Sequence, residues 1–472
     1  MVGLLSSEVK EARERVRSAI KNSGVYLPAK RITINLSPAD QKKEGSAFDI
    51  PIAVSILCSV GAINKENIKD TMMVGELSLD GSTKPVNGIL NIVILAKKIG
   101  VKRIFVPFEN GEEALLVPDV EIIGVSSLDE VIRIVNGREF KNQSLENKVI
   151  RKNISNQEAY NFEDINGQEG VKRAVRIAVS GMHNILLVGE PGSGKSIIAR
   201  AITGILPKMT KEEELEVSGI YSTLGLLKNG TLIKERPFRV VHHTITAAAL
   251  CGGGMNPKPG EITLAHRGVL FMDELPEFKR ETLEILREPM EDGYIVISRK
   301  EASYTFPSDF MVVGAMNPCP CGYYPDRNKC SCTKYDIDRY INKIRGALID
   351  RIDICMDTPR IKIDELQKNE NNLTTKEMRK MVEETGEIQK ERFKGTGLKF
   401  NSQIAFNKIE YYCALGSSEK KLAGNIYNKL NLSARGYHKL LKVSRTIADI
   451  EYSEHIKEEH ILEAAGYRNY VL

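Results

Sequence analysis

The sequence predicts an α/β chain in three blocks: a mixed α+β block, a core built on short buried strands, and a helical block. Three observations carry this. Ile185-Leu186-Leu187-Val188 is a buried-strand run that passes through a glycine-rich turn into the helical stretch Ile197 to Ile205. Two further apolar runs, Val269 to Met272 and Phe310 to Met316, each end on a polar side chain. Beyond residue 360 the pattern is mostly helical. The chain has 472 residues, 42% hydrophobic and 27% charged. That is room for about three domains, and it excludes a mostly disordered chain. The net charge of +5 is too weak over this length to argue for nucleic acid by itself.

Taken in order, residues 1–138 mix β-like and helical runs. Their longest apolar stretch, Ile50 to Ile63, carries Pro51 and two serines and reads as a core helix, not a membrane span. No basic–apolar–small leader pattern opens the chain, which places it in the cytoplasm. Residues 139–160 are polar and Asn-rich and read as a linker. Residues 161–360 hold the phosphate-type motifs described next. Residues 361–472 contain a charged amphipathic helix near Thr375–Phe393, a helix Gly436 to Ile450, and a last one at Ile456–Ala465. No tandem repeat or low-complexity tract is present.

The turn after the first core strand is Gly189-Glu190-Pro191-Gly192-Ser193-Gly194-Lys195-Ser196, G-x-x-x-x-G-K-S in its strand–loop–helix setting. Its glycines let successive N–H groups face one concavity, and the helix N-terminus adds positive charge; both suit phosphate. Lys195 reaches the outer phosphates and Ser196 can ligate Mg²⁺. Asp273-Glu274, ending the second apolar run, supply one carboxylate to hold Mg²⁺ through water and one to polarise an attacking water. Asn317, ending the third, can orient water near the γ-phosphate. Before Pro318 it also suits a turn.

The order of these motifs resembles an AAA+ ATPase. More closely, Phe162 to Pro359 resembles the magnesium-chelatase-like branch and, within it, the bacterial ComM/YifB family. The strings are Phe162 to Gln168, Arg236 to Arg239 with His242-His243-Thr244, Gly252-Gly253-Gly254, Pro259 to Ile262, Asp273 to Phe278, Asn317 to Gly322, and Asp350-Arg351-Ile352-Asp353. The resemblance implies a P-loop AAA+ core with a C-terminal helical lid domain. It implies that Arg351 is an arginine finger reaching the nucleotide of a neighbouring subunit; an ion pair with Asp350 or Asp353 is the plain alternative. Arg435, in Ser433-Ala434-Arg435, matches the sensor-two arginine and is otherwise an ordinary helix-start residue.

Residues 1–138 resemble the Lon-protease-like domain, on Val74 to Gly81, Lys84 to Gly88 and Ile104 to Asn110. Peptidase chemistry in that fold needs a serine activated by a lysine. The best register puts Ala47 at the nucleophile position, with Ser46 one residue early, and Leu90 at the lysine position. This implies an inactive domain. Relatives carry additional β-structure ahead of the segment matching Val2-Gly3-Leu4. Either the true start lies upstream or this is a shortened, N-terminally short form, in which an unpaired sheet edge is expected to be exposed.

Cys319-Pro320-Cys321 and Cys330-Ser331-Cys332 put two close thiol pairs across a turn-rich loop, which suits a closed structural Zn²⁺ site. Four clustered thiols in a reducing cell otherwise invite oxidation. Cys58, Cys251, Cys355 and Cys413 are isolated and read as small buried hydrophobes. Three features suit a polyanion. The Gly-rich excursion Ala247 to Gly260, with Lys258, reads either as a loop presented to a central pore or as a mobile surface loop. The hairpin around Arg299-Lys300 reads either as a phosphate contact or as a common exposed turn. Lys420 to Ala448 holds seven Lys and Arg and no acid, facing either a nucleic-acid backbone or acidic surfaces of the core. His242-His243, read as strand neighbours on opposite faces, are not expected to share an ion.

These readings converge on an ATP- and Mg²⁺-dependent motor, a homo-oligomeric ring expected to be a hexamer, acting on single-stranded or branched DNA. The family resemblance suggests ATP-driven branch migration in recombination and natural transformation. The alternatives are a chelatase-type motor remodelling a protein or metal-insertion partner, and a binding module with a vestigial ATPase.

Overall fold

The computed structural model describes residues 7–37, 43, 45–137, 160–227, 230–254, 257–299, 302–345, 348–361 and 372–468. The linker reading at 139–160 lies, except for Tyr160, outside the described residues. Two compact units emerge. One takes Met1–Ser155, Thr210–Lys234 and Ser298–Ser303; the other takes Asn156–Met209, Glu235–Ile297 and Tyr304–Leu472.

The first unit is built on a parallel sheet of β1 (Thr71–Met73), β4 (Arg103–Pro107) and β5 (Glu121–Val125), in the order β1-β4-β5. A short antiparallel pair, β2 (Glu76–Leu77) and β3 (Thr83–Lys84), lies between β1 and β4 in sequence. Val-, Ile- and Phe-rich strands buried on both faces are what a parallel sheet requires. The predicted apolar helix is found as Asp49–Ser59. Its first residue is fully buried: Arg15 donates to Asp49 at 2.7 and 3.1 Å, and the Leu77 amide donates at 3.1 Å. A buried carboxylate held this way is costly to unpair.

The segment 210–234 lies within the 161–360 block in sequence but packs in this first unit. Its helix Lys211–Thr223 opens with a capping box between Thr210 and Glu213. Leu215, Leu227 and Leu232 join the apolar cluster of Leu90, Val93 and Ile104. Asn91 Nδ2 donates to Gly219 O at 2.9 Å and Thr223 Oγ1 at 3.0 Å. Glu113 accepts from both the Leu90 amide and the Ser222 hydroxyl.

The second unit carries a five-stranded parallel sheet in the order β14-β6-β13-β10-β7. The strands are β6 (Ile185–Val188), β7 (Phe238–Val241), β10 (Val269–Met272), β13 (Met311–Met316) and β14 (Ile354–Asp357). Registers such as Met316↔Val188, Met272↔Gly314 and Val241↔Met272 align their carboxyl ends along one edge. The helices Glu169–Gly181 and Lys195–Ile205 share one apolar cluster with the C-terminal helices Thr375–Arg392, Ala434–Ile450 and Glu458–Gly466. Among the described residues no helix is long and apolar enough to cross a membrane.

Two features bear on the sequence reading. Where it is described, the excursion 247–260 carries regular structure: a helix Ala247–Cys251 capped by Thr246 is followed by β8 (Gly252–Gly253) paired antiparallel with β9 (Lys258–Pro259). Its glycines serve close packing, since a Cβ on Gly252 would lie 2.2 Å from Lys258 O and one on Gly260 2.2 Å from Gly252 N. Second, Ala47 and Ser46, aligned with the nucleophile loop, precede the helix Asp49–Ser59, and the Ser46 hydroxyl donates to the Glu76 carboxylate, not to a lysine. Leu90 is fully buried in an apolar cluster.

Candidate nucleotide site

Parallel strands open at their carboxyl ends on a crevice where loops meet helix N-termini. The glycine-rich loop leaves β6 into this crevice. Lys195, the first residue of its helix, is buried and donates to Gly189 O at 2.7 Å, Glu190 O at 2.9 Å and Asn317 Oδ1 at 3.3 Å. Burial pulls its pKa below the ordinary lysine value, opposed by the charge of Asp273. Ser196 Oγ donates to Asp273 Oδ2 at 2.9 Å, so the hydroxyl and carboxylate assigned to Mg²⁺ already face each other. The buried Ser193 hydroxyl has no protein partner, as a group awaiting a polar ligand does. These donors fit a nucleoside triphosphate with its Mg²⁺.

Glu274 sits at φ 52°, a left-handed conformation uncommon for a side-chain-bearing residue. The preceding Asp273 Oδ1 accepts from its amide at 2.9 Å. His243 Nδ1 is buried 3.4 Å from Glu274 Oε2, without the alignment of a hydrogen bond. His242 and His243 lie past the end of β7, and their rings are 4.0 Å apart, side by side. The opposite-faces expectation fails because neither residue is in the strand. Gln168, whose motif string gave no hint of a separate role, ties the loop to the end of β14: its Nε2 donates to Ser193 O at 3.0 Å and to Pro359 O at 2.8 Å.

The structure therefore brings together Lys195, Ser196, Asp273, Glu274 and Asn317. Arg351 and Arg435 lie elsewhere. Arg351 precedes β14, and its carbonyl accepts from Asn184 Nδ2 at 3.0 Å, at the amino end of β6. The phosphate loop leaves the carboxyl end. Four residues at ~3.3 Å each separate those edges by roughly 13 Å. Arg351 does not pair with Asp350 or Asp353. Its guanidinium meets Glu291 Oε1 at 2.6 Å, and Arg435 meets the same oxygen at 2.9 Å. Asp353 instead takes Lys439 at 2.6 Å.

The four cysteines 319, 321, 330 and 332 bring their sulfurs within 4.8 Å of one another. Cys319 Sγ lies 3.3 Å from Cys321 Sγ and 3.8 Å from Cys330 Sγ, and the Tyr324 amide donates to it at 3.4 Å. None forms a disulfide. The Cys321 thiol is lowered to about 6, first by the Tyr323 amide and then by the neighbouring thiols. A soft, all-sulfur, tetrahedral-sized donor set fits Zn²⁺.

Of the seven cations in 420–448, four are engaged internally. Arg435 and Lys439 are paired as above, Lys442 donates to Ser402 O, and Arg445 holds Asp449 with two backbone carbonyls. Lys420, Lys421 and Lys429 are exposed, as are Lys258 on β9 and Arg299 in the turn between β11 (Tyr294–Ser298) and β12 (Ser303–Pro307). Lys300 lies outside the described residues.

Residues 161–366 match the family model of magnesium chelatase, subunit ChlI. Residues 1–110 match that of subunit ChlI of Mg-chelatase, and 372–468 that of its C-terminal region. The chain is 40% identical to the competence protein ComM of Haemophilus influenzae, over 99% of this chain and 91% of that protein. The chain belongs to the magnesium-chelatase-like ComM/YifB family. Identity to the YifB protein of Escherichia coli is 39% over the same shares. The magnesium-chelatase 38 kDa subunit of Cereibacter sphaeroides is 27% identical over 33% of this chain and 52% of its own.

Proposed function

We propose that this protein is a Mg²⁺-dependent ATPase motor that works as a homo-oligomeric ring, a hexamer, on single-stranded or branched DNA in the cytoplasm. Its task is branch migration in recombination during natural transformation. One observation carries the ring: the phosphate loop and the Arg351–Arg435 pair occupy opposite edges of the same sheet. A chain so built holds a nucleotide at one edge and offers two guanidinium groups at the other. Stacked head to tail, each chain completes its neighbour's site, and such heterologous contacts close into rings.

In that site Lys195 and the loop amides hold the outer phosphates. Ser196 and Asp273 would hold Mg²⁺, which when bound neutralises phosphate charge. Glu274 accepts the proton of the attacking water, and Asn317 orients that water. Arg351 and Arg435 arrive from the next subunit and stabilise charge on the separating phosphoryl group. Lys258 and Arg299, each exposed, are the cations proposed to contact the DNA backbone, with Lys300 proposed from the sequence alone. The Lon-like first block, with Leu90 buried where a lysine is needed, contributes no peptidase chemistry. Cys319, Cys321, Cys330 and Cys332 hold one structural Zn²⁺.

The name of the ComM relative supports the competence role. The match to a magnesium-chelatase subunit supports a second reading, a motor that remodels a protein or metal-insertion partner. Steady-state ATP turnover with and without forked, branched and single-stranded DNA separates them. Stimulation by branched DNA is the expected result. Turnover indifferent to every DNA, and raised only by a protein partner, would select the second reading.

A further inference from the structure

The cysteine knuckle is built against the phosphate loop. Gly322, directly after Cys321, has φ +88°, and a Cβ there would lie 2.6 Å from Pro191 Cδ and 2.8 Å from Pro191 Cγ. Pro191 is in the phosphate loop itself. The same Cβ would stand 3.8 Å from Asn317 Cγ. Only a glycine permits this approach. Gly322 is in turn fixed from the cysteine side, since its amide donates to Cys319 O at 3.0 Å.

The other side of the knuckle rests on the helix Lys334–Arg345. Ile337 and Ile341 pack against the cysteines. One turn away lies the buried Tyr340, whose phenol feels the backbone of Asn317: burial raises its pKa and Asn317 partly offsets this. Lys343 lies 3.6 Å from Glu277, in the turn that follows Asp273-Glu274. The knuckle and its helix thus touch the phosphate loop, the Asn317 amide at Lys195, and the acidic turn. The apolar content of the knuckle is small: Cys319, Cys330 and Ile337 are its buried members. Turn hydrogen bonds such as Cys330 N–H to Asp326 O at 2.8 Å and Arg327 Nη1 to Cys332 O at 2.8 Å shape the loop, and an ion held by four thiolates would tie its two ends together.

We propose that the metal bound by Cys319, Cys321, Cys330 and Cys332 is a positioning element of the nucleotide site. It seats Gly322 on Pro191 and keeps Asn317 at the Lys195 ammonium, so that zinc loading sets nucleotide affinity and turnover. This rests on the zinc reading above. It goes further in assigning the metal an effect on a neighbouring chemical step.

The test uses the whole protein. Zinc content is measured on protein prepared without chelator. A portion is stripped with a zinc-selective chelator, desalted, and assayed in Mg²⁺ for binding of a fluorescent ATP analogue and for turnover. Stripping should raise the Kd and lower kcat, each on the order of tenfold to a hundredfold, as misplacement near 1 Å does. Far-UV circular dichroism should stay the same. Zn²⁺, but not extra Mg²⁺, should restore both parameters. Gly322→Ala retains all four thiols; it should bind zinc normally yet shift Kd and kcat in the same direction. If stripped protein binds and turns over ATP like loaded protein, the coupling is wrong and the zinc site stands. If stripped protein unfolds, Gly322→Ala decides: zinc-loaded with normal Kd and kcat, it overturns the proposal. Absence of zinc in the native preparation overturns the zinc reading and the proposal together.

Discussion

Lys195 spends its three donors on two loop carbonyls and the Asn317 amide oxygen. Lys195→Ala should therefore abolish nucleotide binding or turnover, because nothing else at the loop supplies that charge. Glu274→Gln keeps shape but loses the proton acceptor, so ATP should bind and persist unhydrolysed. A quench assay showing bound ATP without product tests this, and normal steady-state hydrolysis would remove Glu274 from its role. A second residue governs pH stability. His183 is fully buried, its Nε2 is 2.8 Å from Thr446 Oγ1, and its Nδ1 has no partner. Burial first lowers its pKa to about 4, with Lys439 and Lys442 adding to the effect and Asp353 opposing it. The unfolded chain then binds more protons between pH 6.5 and 4. Stability from a neutral His183 is present above 6.5 and lost as pH falls, by about 3 kcal/mol near pH 4. Urea midpoints of wild type and His183→Gln at pH 7 and pH 4 check the sign. The variant, which titrates nothing there, should lose less.

Among elements, the two hairpins β8–β9 and β11–β12 carry exposed cations near their turns, Lys258 and Arg299. If they follow a phosphate backbone, Lys258→Ala and Arg299→Ala should each weaken DNA binding across all sequences. Each should also flatten log K against log salt by roughly 0.7 to 0.9 for every phosphate no longer neutralised. Unchanged affinity and slope in the double variant would take both hairpins out of the interface. Elements also show where the sequence speaks and where it does not. β6, β10 and β13 were legible because each is an apolar run ending on a chemically distinctive residue. β7 and β14 were not. Phe238-Arg239-Val240-Val241 is interrupted by a cation, which the structure explains by the paired bonds from Arg239 to Glu261 at 2.7 and 2.8 Å. Ile354–Asp357 is only four residues long and follows directly on the Asp350–Asp353 string, so no separate apolar run marks it. The helix Lys211–Thr223 was invisible as part of the first unit, because its partners Asn91 and Glu113 are more than a hundred residues upstream. Local patterning carries no register for such a contact.

At the scale of the whole molecule, the motifs alone named Arg351 and Arg435 but not their place. The sheet supplies it. Both guanidinium groups converge on Glu291, and the Arg351 carbonyl lies at the edge remote from Lys195; under the proposed function they would therefore serve the nucleotide of a neighbouring chain. The Arg351 side chain is only 11% exposed while bound there. Burial disfavours its charge, Glu291 opposes that, and Arg435 and Arg287 add to it. As the proposed finger, it would exchange the Glu291 carboxylate for an incoming phosphate, which suits its bidentate donors. Specific activity should therefore rise with protein concentration as rings form. Arg351→Ala should bind ATP, since its own phosphate loop is intact, but hydrolyse it poorly at every concentration, by orders of magnitude for a lost finger. Lys195→Ala fails for the opposite reason, an empty loop beside an intact finger. Mixed, the two inactive proteins create one type of interface in which the intact loop of Arg351→Ala faces the intact Arg351 of Lys195→Ala. Part of the activity should return, and it should follow the mixing ratio through a maximum. If the mixture co-assembles on a sizing column yet stays inactive, or if Arg351→Ala alone turns over normally, the arginine does not cross between subunits, and the edge-to-edge arrangement loses its chemical reason.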